Sequence, residues 1–188
     1  MLTYISRGPE PITLAEAKTQ TRVDSSAGTV EDGLFAIWIE AARQWAEDYT
    51  GRVLCGAVVE EPICGFPACR CIVPALVPVR EVEWVKYYDV DNVLQEFPAE
   101  SYVADGGIIQ LRTGAQWPET TADRKNTVVL RYAAGPAATD TPDARVKQAI
   151  LLMVTDFYDR RADAVNEADA TRVKTTAERL LQGLRELG

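Results

Sequence analysis

Histidine is absent from all 188 residues, and with it go the commonest general base near neutral pH and the commonest metal ligand. Serines are scarce, Ser6, Ser25, Ser26 and Ser101, and none sits in the Gly-x-Ser-x-Gly turn that exposes a nucleophile. A phosphate-cradling glycine loop is missing too, because Asp105-Gly106-Gly107 leads into a strand-like run and not into a lysine and a helix. No apolar run approaches the ~20 residues that span a bilayer; residues 149–154 are a short stretch inside a helical pattern. The opening Met1-Leu2-Thr3-Tyr4-Ile5-Ser6-Arg7 lacks the features of a secretory signal, so the chain is expected to stay in the cytoplasm where it is made. Basic residues are outnumbered 28 to 20, giving a net charge of -8, which argues against a protein whose main task is to grip a phosphate backbone. The acidic balance first of all favours solubility. On the wall of a channel it would also let DNA slide past without sticking.

The chemistry-bearing residues that are present are few. Cys55, Cys64, Cys69 and Cys71 fall in one stretch. Structural zinc sites pair their ligands as Cys-x2-Cys or similar, and here there is neither such a pair nor a histidine. Reduced thiols on β-strands outweigh a zinc or disulfide role. Asp156 and Asp159 lie three apart in Thr155-Asp156-Phe157-Tyr158-Asp159-Arg160-Arg161, neighbours on a helix. Beside two arginines at a polar helix end they read as a solvated or interface charge cluster, not a buried catalytic dyad. Asp89, Asp91 and Asn92 lack the remaining ligands of a calcium loop, and turn chemistry accounts for them. The sequence therefore points to no catalytic residue, no metal and no cofactor.

Periodicity organises the chain. Thr13 and Glu16 form a capping box, with Ile12 and Ala17 as its apolar staple, ahead of a short helix over residues 14–22. Residues 24–29 are a small polar loop. A second helix begins near Val30 to Asp32 and runs to Tyr49 or Thr50, where Gly51 suits a left-handed end. Leu34, Ile37, Trp38, Ala41, Trp45 and Tyr49 recur at three and four and predict its core face. Short β-rich runs then follow at residues 53–60, 69–73, 79–88, 100–103, 108–112 and 127–132. Turns at Asp89-Val90-Asp91-Asn92 and Asp105-Gly106-Gly107 divide them. Helical period returns after Thr141-Pro142-Asp143, with a core face of Val146, Ala149, Ile150, Met153, Val154 and Phe157 running to about Arg161. Residues 163–171 are polar and alanine-rich, a loop or linker. Val173, Ala177, Leu180, Leu181, Leu184 and Leu187 mark a last amphipathic helix, which Gly183 weakens by about 1 kcal/mol relative to alanine.

The predicted class is α+β: a small helical bundle of two N-terminal and two C-terminal helices, with an inserted antiparallel β-domain. Residues 1–51 are the N-terminal helical part, 52–136 the β-region, 137–165 the core helix completing the bundle, and 166–188 the linker and terminal helix. Of the tryptophans, Trp38 and Trp45 lie seven apart on one helix face and read as core. Trp117, before Pro118 in a loop, is less easily buried by its own neighbours and is a candidate subunit contact, together with Asp156, Asp159, Arg160 and Arg161.

Several runs in order carry a resemblance: Pro11-Ile12-Thr13-Leu14-Ala15-Glu16-Ala17-Lys18, Tyr49-Thr50-Gly51-Arg52, Pro78-Val79-Arg80-Glu81-Val82 leading to Val85-Lys86-Tyr87-Tyr88-Asp89, Trp117-Pro118, Val128-Val129-Leu130-Arg131-Tyr132-Ala133-Ala134-Gly135, and Val146-Lys147-Gln148-Ala149-Ile150-Leu151-Leu152. Up to about Arg161 the chain resembles the head-tail connector, or head-completion adaptor, proteins of tailed phages, prophages and gene transfer agents. The cysteine-bearing stretch is a departure from that pattern. The resemblance implies a virion structural protein without enzymatic activity, one of many copies in a ring at the neck. Its partners would be the portal protein, a stopper or tail-completion protein, and neighbouring copies of itself, with DNA passing through without specific binding and no membrane involved. In such adaptors the C-terminal segment reaches into the portal, which makes Val173, Leu180, Leu181, Leu184 and Leu187 the candidate portal-docking residues. Packing of that helix on its own bundle is the equally weighted alternative. Deleting residues 172–188 is expected to leave the fold intact and abolish portal attachment. Two competing readings stay open, a small enzyme or ligand-binding module on the β-region and a stopper or tail-completion protein of the same neck. Stoppers are usually β-dominated, and a chain that begins and ends in helices favours the adaptor.

Overall fold

The computed structural model describes residues 1–23, 31–105, 107–160 and 167–185, with only the backbone described over 167–171. The chain divides into two compact units, one made of Met1–Gly8 with Gly56–Ala138 and the other of Pro9–Cys55 with Thr139–Gly188. The first holds the described strands and the second the described α-helices, so the α+β reading holds.

In the β unit, β1 (Thr3–Arg7), β2 (Ala57–Ile63), β4 (Val79–Tyr88), β5 (Leu94–Phe97) and β8 (Val128–Ala134) form an antiparallel sheet in the order β1-β2-β8-β4-β5. A smaller sheet has the order β3-β7-β6, from β3 (Cys71–Ile72), β6 (Tyr102–Asp105) and β7 (Ile108–Leu111). β8 is apolar at nearly every position because it is the middle strand: Val128, Leu130, Tyr132 and Ala134 are fully buried, as are Val59 of β2 and Val85 of β4. The Tyr132 hydroxyl donates to Glu61 Oε2 at 2.6 Å and accepts from the Leu76 amide at 3.1 Å. Burial, then this bond to a carboxylate, pushes the phenol far above its ordinary value. At Gly56 a side chain is excluded, because an added Cβ would lie 2.2 Å from the Pro136 carbonyl oxygen.

Two of these strands were not legible beforehand. β1 falls in the stretch grouped with the helical part, yet Thr3 to Arg7 pair with β2. All five of its residues are exposed, so no buried face marks it in the sequence. β5 has a single buried residue, Phe97. β4 matches its predicted span of 79–88, and register shifts between Val79 and Glu81 and between Val82 and Trp84 explain why its side chains do not alternate cleanly.

In the helical unit, α1 (Leu14–Gln20), α2 (Asp32–Thr50), α3 (Ala144–Arg160) and α4 (Glu167–Leu181) share one core. The capping box is present: Thr13 Oγ1 accepts from the Glu16 amide at 3.2 Å, and Glu16 Oε2 accepts from the Thr13 amide at 2.7 Å. Ile12 and Ala17 are both buried. α2 ends at Gly51 with φ 69°, the left-handed residue that an L side chain rarely adopts. α3 buries Val146, Ala149, Ile150, Met153 and Val154, with Phe157 packed against them.

Two helical expectations are corrected. The core face of α2 is Phe35, Ile39, Ala42, Arg43, Ala46 and Thr50. Trp38, Trp45 and Tyr49 only flank that core, while Leu34 is 45% and Ile37 61% exposed. Both stripes fit a helical period, and the small Ala42 and Ala46 on the buried one let the neighbouring helices approach closely. The second correction is the linker: α4 already begins at Glu167, because the alanine-rich stretch has high helix propensity. Residues 161–166 of that expected linker lie outside the described residues.

Candidate interaction surfaces

Catalytic and metal chemistry is poorly provided for. Among the described residues no group of three or more His, Cys, Asp or Glu could hold a metal ion. None of the described helices is long and apolar enough to cross a membrane. The most concentrated charge is structural. Arg43 is 1% exposed; its Nε donates to Glu10 Oε2 at 2.9 Å and its Nη1 to Glu47 Oε2. Glu47 Oε1 also accepts from the Leu54 amide at 2.8 Å and the Cys55 amide at 3.3 Å. Burial works against the guanidinium charge, and the carboxylates of Glu47 and Glu10 outweigh it, leaving Arg43 above its ordinary value. The network pins two segments of the helical unit, around Glu10 and around Leu54, onto α2.

The outward face of α2 is the first candidate surface. Leu34 and Ile37 stand exposed, and beside them Trp38 and Ala41 join Phe157 and Arg160 of α3 to line an open cleft of about 240 Å³. Arg160 is held there by Asp156 one turn earlier, with its Nη2 2.6 Å and its Nε 2.9 Å from Asp156 Oδ1. Of the contact residues expected from sequence, Arg160 therefore edges an apolar cleft and Asp156 orients it. Asp159 is exposed at the same helix end, and Arg161 lies outside the described residues.

The second surface is the tip of the β4–β5 hairpin, where Val90, Val93 and Leu94 are 60%, 52% and 50% exposed. The tip is rigidly built. Asp89 Oδ1 accepts from the amides of Asp91 (3.1 Å) and Val93 (2.9 Å), and its Oδ2 accepts from Gln95 Nε2 at 2.8 Å. These bonds, led by the one from Val93, hold the Asp89 carboxyl below the usual range. Asn92 takes φ 60°, and Arg124 stacks over Tyr88 while its Nε donates to Asn92 Oδ1 at 2.6 Å. The turn residues Asp89 to Asn92 were legible. The apolar pair Val90 and Val93 within and beside them was the overlooked signal.

Trp117 is half-buried by its own neighbours: the ring stacks on Phe66 with centroids 4.7 Å apart, lies 5.3 Å from Phe97, and Nε1 donates to the Cys69 carbonyl at 2.9 Å. The expected docking residues of α4 are also engaged. Leu181 is fully buried with Ala177, and Val173, Leu180 and Leu184 pack against the same core. Leu187 lies outside the described residues. Removing residues 172–188 would therefore take Ala177 and Leu181 out of the core, so α4 is not a separable arm and the fold would not be left intact.

No protein-family model and no curated protein sequence matches the chain. Solved structures do. A chain in the neck of an empty gene transfer agent particle, computed with C6 symmetry, superimposes with a TM-score of 0.80 at 19% identity, covering 100% of this chain and 96% of that one. A chain of the native gene transfer agent virion gives 0.77, and one in the native neck computed with C12 symmetry gives 0.72, both at 19% identity and the same coverage. The chain shares its fold with gene transfer agent neck proteins. The match runs through both units, so the combination of a β unit and a helical bundle is itself the shared feature.

Proposed function

We propose that the protein is a structural component of the neck of a tailed phage or gene transfer agent particle, the adaptor that forms a ring beneath the portal and joins the head vertex to the tail around a DNA channel. The observation that carries this reading is the likeness of fold, over the whole chain, to chains of gene transfer agent necks. The role needs no catalytic residue, cofactor or membrane. It needs two different faces on each subunit, since a ring closes by head-to-tail contact, and each unit exposes large apolar residues, Leu34 and Ile37 on the α2 face of one and Val90, Val93 and Leu94 at the hairpin tip of the other.

The occupant of the α2 cleft in this reading is the hairpin tip of a neighbouring copy. The tip is apolar and carries the acidic Asp91, while the cleft is apolar and edged by Arg160. The portal-facing element is α4, docking as part of the folded bundle through the outward edges of the half-buried Val173, Leu180 and Leu184, while Leu181 stays in the core.

Cryo-electron microscopy of the purified particle tests the role: density for this chain should form a ring directly under the portal, and its absence from the particle would overturn the reading. The contact is tested by Ile37→Asp and Val93→Asp. Each should leave the circular dichroism of the free protein unchanged and prevent ring formation on the portal; rings that persist in both variants would refute this interface.

A further inference from the structure

The four thiols differ sharply in their surroundings. Cys55 is buried in the helical unit, where its Sγ donates to the Pro9 carbonyl at 3.4 Å. In the β unit Cys64 and Cys69 are exposed and Cys71 is half-buried. Residues 68–70 form a bend leading into β3. In straight strand, side chains two residues apart point the same way but usually sit too far apart to bond. The bend changes this, and the Cys69 and Cys71 sulfurs lie 3.7 Å apart.

The surrounding backbone is fixed on several sides. Arg70, between the two cysteines, donates through its guanidinium to the carbonyls of Arg112 (2.5 Å), Ala115 (3.2 Å) and Leu111 (3.4 Å). Its own carbonyl accepts from the Leu111 amide at 2.8 Å. Trp117 Nε1 holds the Cys69 carbonyl at 2.9 Å, and Cys71 is paired with Gln110. The two sulfurs are thus presented together, at the surface, on a segment that need not be ordered before they meet.

We propose that Cys69 and Cys71 are a surface dithiol that closes to an intrachain disulfide by exchange with a low-molecular-weight disulfide. The Cys69 thiolate attacks one sulfur of the external disulfide, breaking its S–S bond and releasing one thiol, which takes up the proton Cys69 has lost. The Cys71 sulfur then attacks Cys69 Sγ, forming the Cys69–Cys71 bond and expelling the second external thiol with the Cys71 proton. Two protein thiols are oxidised and one external disulfide is reduced to two thiols. Cys69 is the first nucleophile because it is the more exposed of the two thiols; its contacts with the Cys71 backbone, then with the Cys71 thiol, draw it below its ordinary value, and the same thiol contact pushes Cys71 up.

The exchange is chemistry of the single chain and stands or falls independently of the neck reading. Its test is to treat the full-length Cys64→Ser protein with oxidised glutathione, alkylate the remaining thiols, and determine intact mass and peptide map. The expected product has lost two hydrogens, retains no glutathione, and yields Cys69 and Cys71 in one linked peptide, with Cys55 alkylated after unfolding. Adding Cys71→Ser should leave one glutathione trapped on Cys69. Full alkylation of both thiols, persistent glutathione on Cys69 while Cys71 is present, or a disulfide between two chains would each overturn the proposal.

Discussion

α2 and α3 are neighbouring helices with apolar stripes of similar length, yet only one stripe faces where its sequence suggests. In α3 the residues at helical spacing, Val146, Ala149, Ile150, Met153 and Val154, are the buried ones. In α2 the large residues Leu34 and Ile37 face outward, and the core is reached through Phe35, Ile39, Ala42 and Ala46. A helix apolar on a single stripe is finished once its own domain folds. One apolar on two stripes leaves a face for something else. The sharpest way to break this comparison is to truncate neighbouring residues on the two sides of α2. Phe35 is fully buried, 5.2 Å from the Trp38 ring and 5.7 Å from that of Tyr158, so Phe35→Ala should destabilise the free protein by about 3–5 kcal/mol. Ile37→Ala, two residues on and exposed, should change stability by about 0.5 kcal/mol or less. Urea melts of both variants decide this; equal losses would mean that the outward face of α2 belongs to the core after all.

Charge separates the two helices next. α2 sinks Arg43 into its buried side with Glu10 and Glu47 as partners, whereas the charges of α3 at Asp156 and Arg160 stay near its end. Arg43→Ala leaves those two carboxylates facing each other without their cation and frees the Glu47 side chain that caps the Leu54 and Cys55 amides. Because Glu10 and Glu47 are 35% and 20% exposed, water recovers part of the loss, and about 2–3 kcal/mol is expected by denaturant melting. Asp156→Ala on α3 should cost less than 1 kcal/mol, since Arg160 is a third exposed. An Arg43→Ala loss no larger than that of Asp156→Ala would remove the network from any structural role.

The same contrast shows how far the sequence could be read. The class, the capping box at Thr13, the helix end at Gly51, the span of β4 and the face of α3 were legible because each depends on local spacing or on one residue's backbone preference. The orientation of α2 was not, because two apolar stripes satisfy one period and only tertiary packing chooses between them. β1 was missed for a related reason: a fully exposed edge strand buries nothing, so it leaves no alternation to find. Of the interaction surfaces, Arg160 and the turn at Asp89 were visible as charge and turn chemistry. What packs on Trp117 was not legible because its partners Phe66 and Phe97 lie 51 and 20 residues away in the chain, and where the α4 leucines pack was not legible because an amphipathic face reads the same whether it docks at home or on a partner.

The smallest expected effect concerns how α3 is tied to α1, a tie that α2 makes separately through Lys18 and Asp32, 2.5 Å apart. Glu16 accepts a hydrogen bond from Lys147 of α3 at 2.6 Å while completing the capping box at Thr13. Lys147 first, then the Thr13 amide, lowers the Glu16 carboxyl from its ordinary value. A carboxylate whose value is lower in the folded than in the unfolded chain stabilises the fold above the unfolded value, and loses that contribution as the pH falls through the folded one. The α1–α3 tie should therefore be complete above about pH 5 and fade below about pH 4. Being exposed, the pair is worth only about 0.5 kcal/mol. Amide exchange followed from pH 6 to pH 3 in wild type and Glu16→Gln checks it: corrected for intrinsic rates, α1 should lose protection with acid in wild type and start already reduced in the variant. Protection in α1 that is identical in both proteins at pH 6 would show that the Glu16 carboxylate does not hold α1 in place, leaving that to the apolar staple of Ile12 and Ala17 and the Lys18–Asp32 pair.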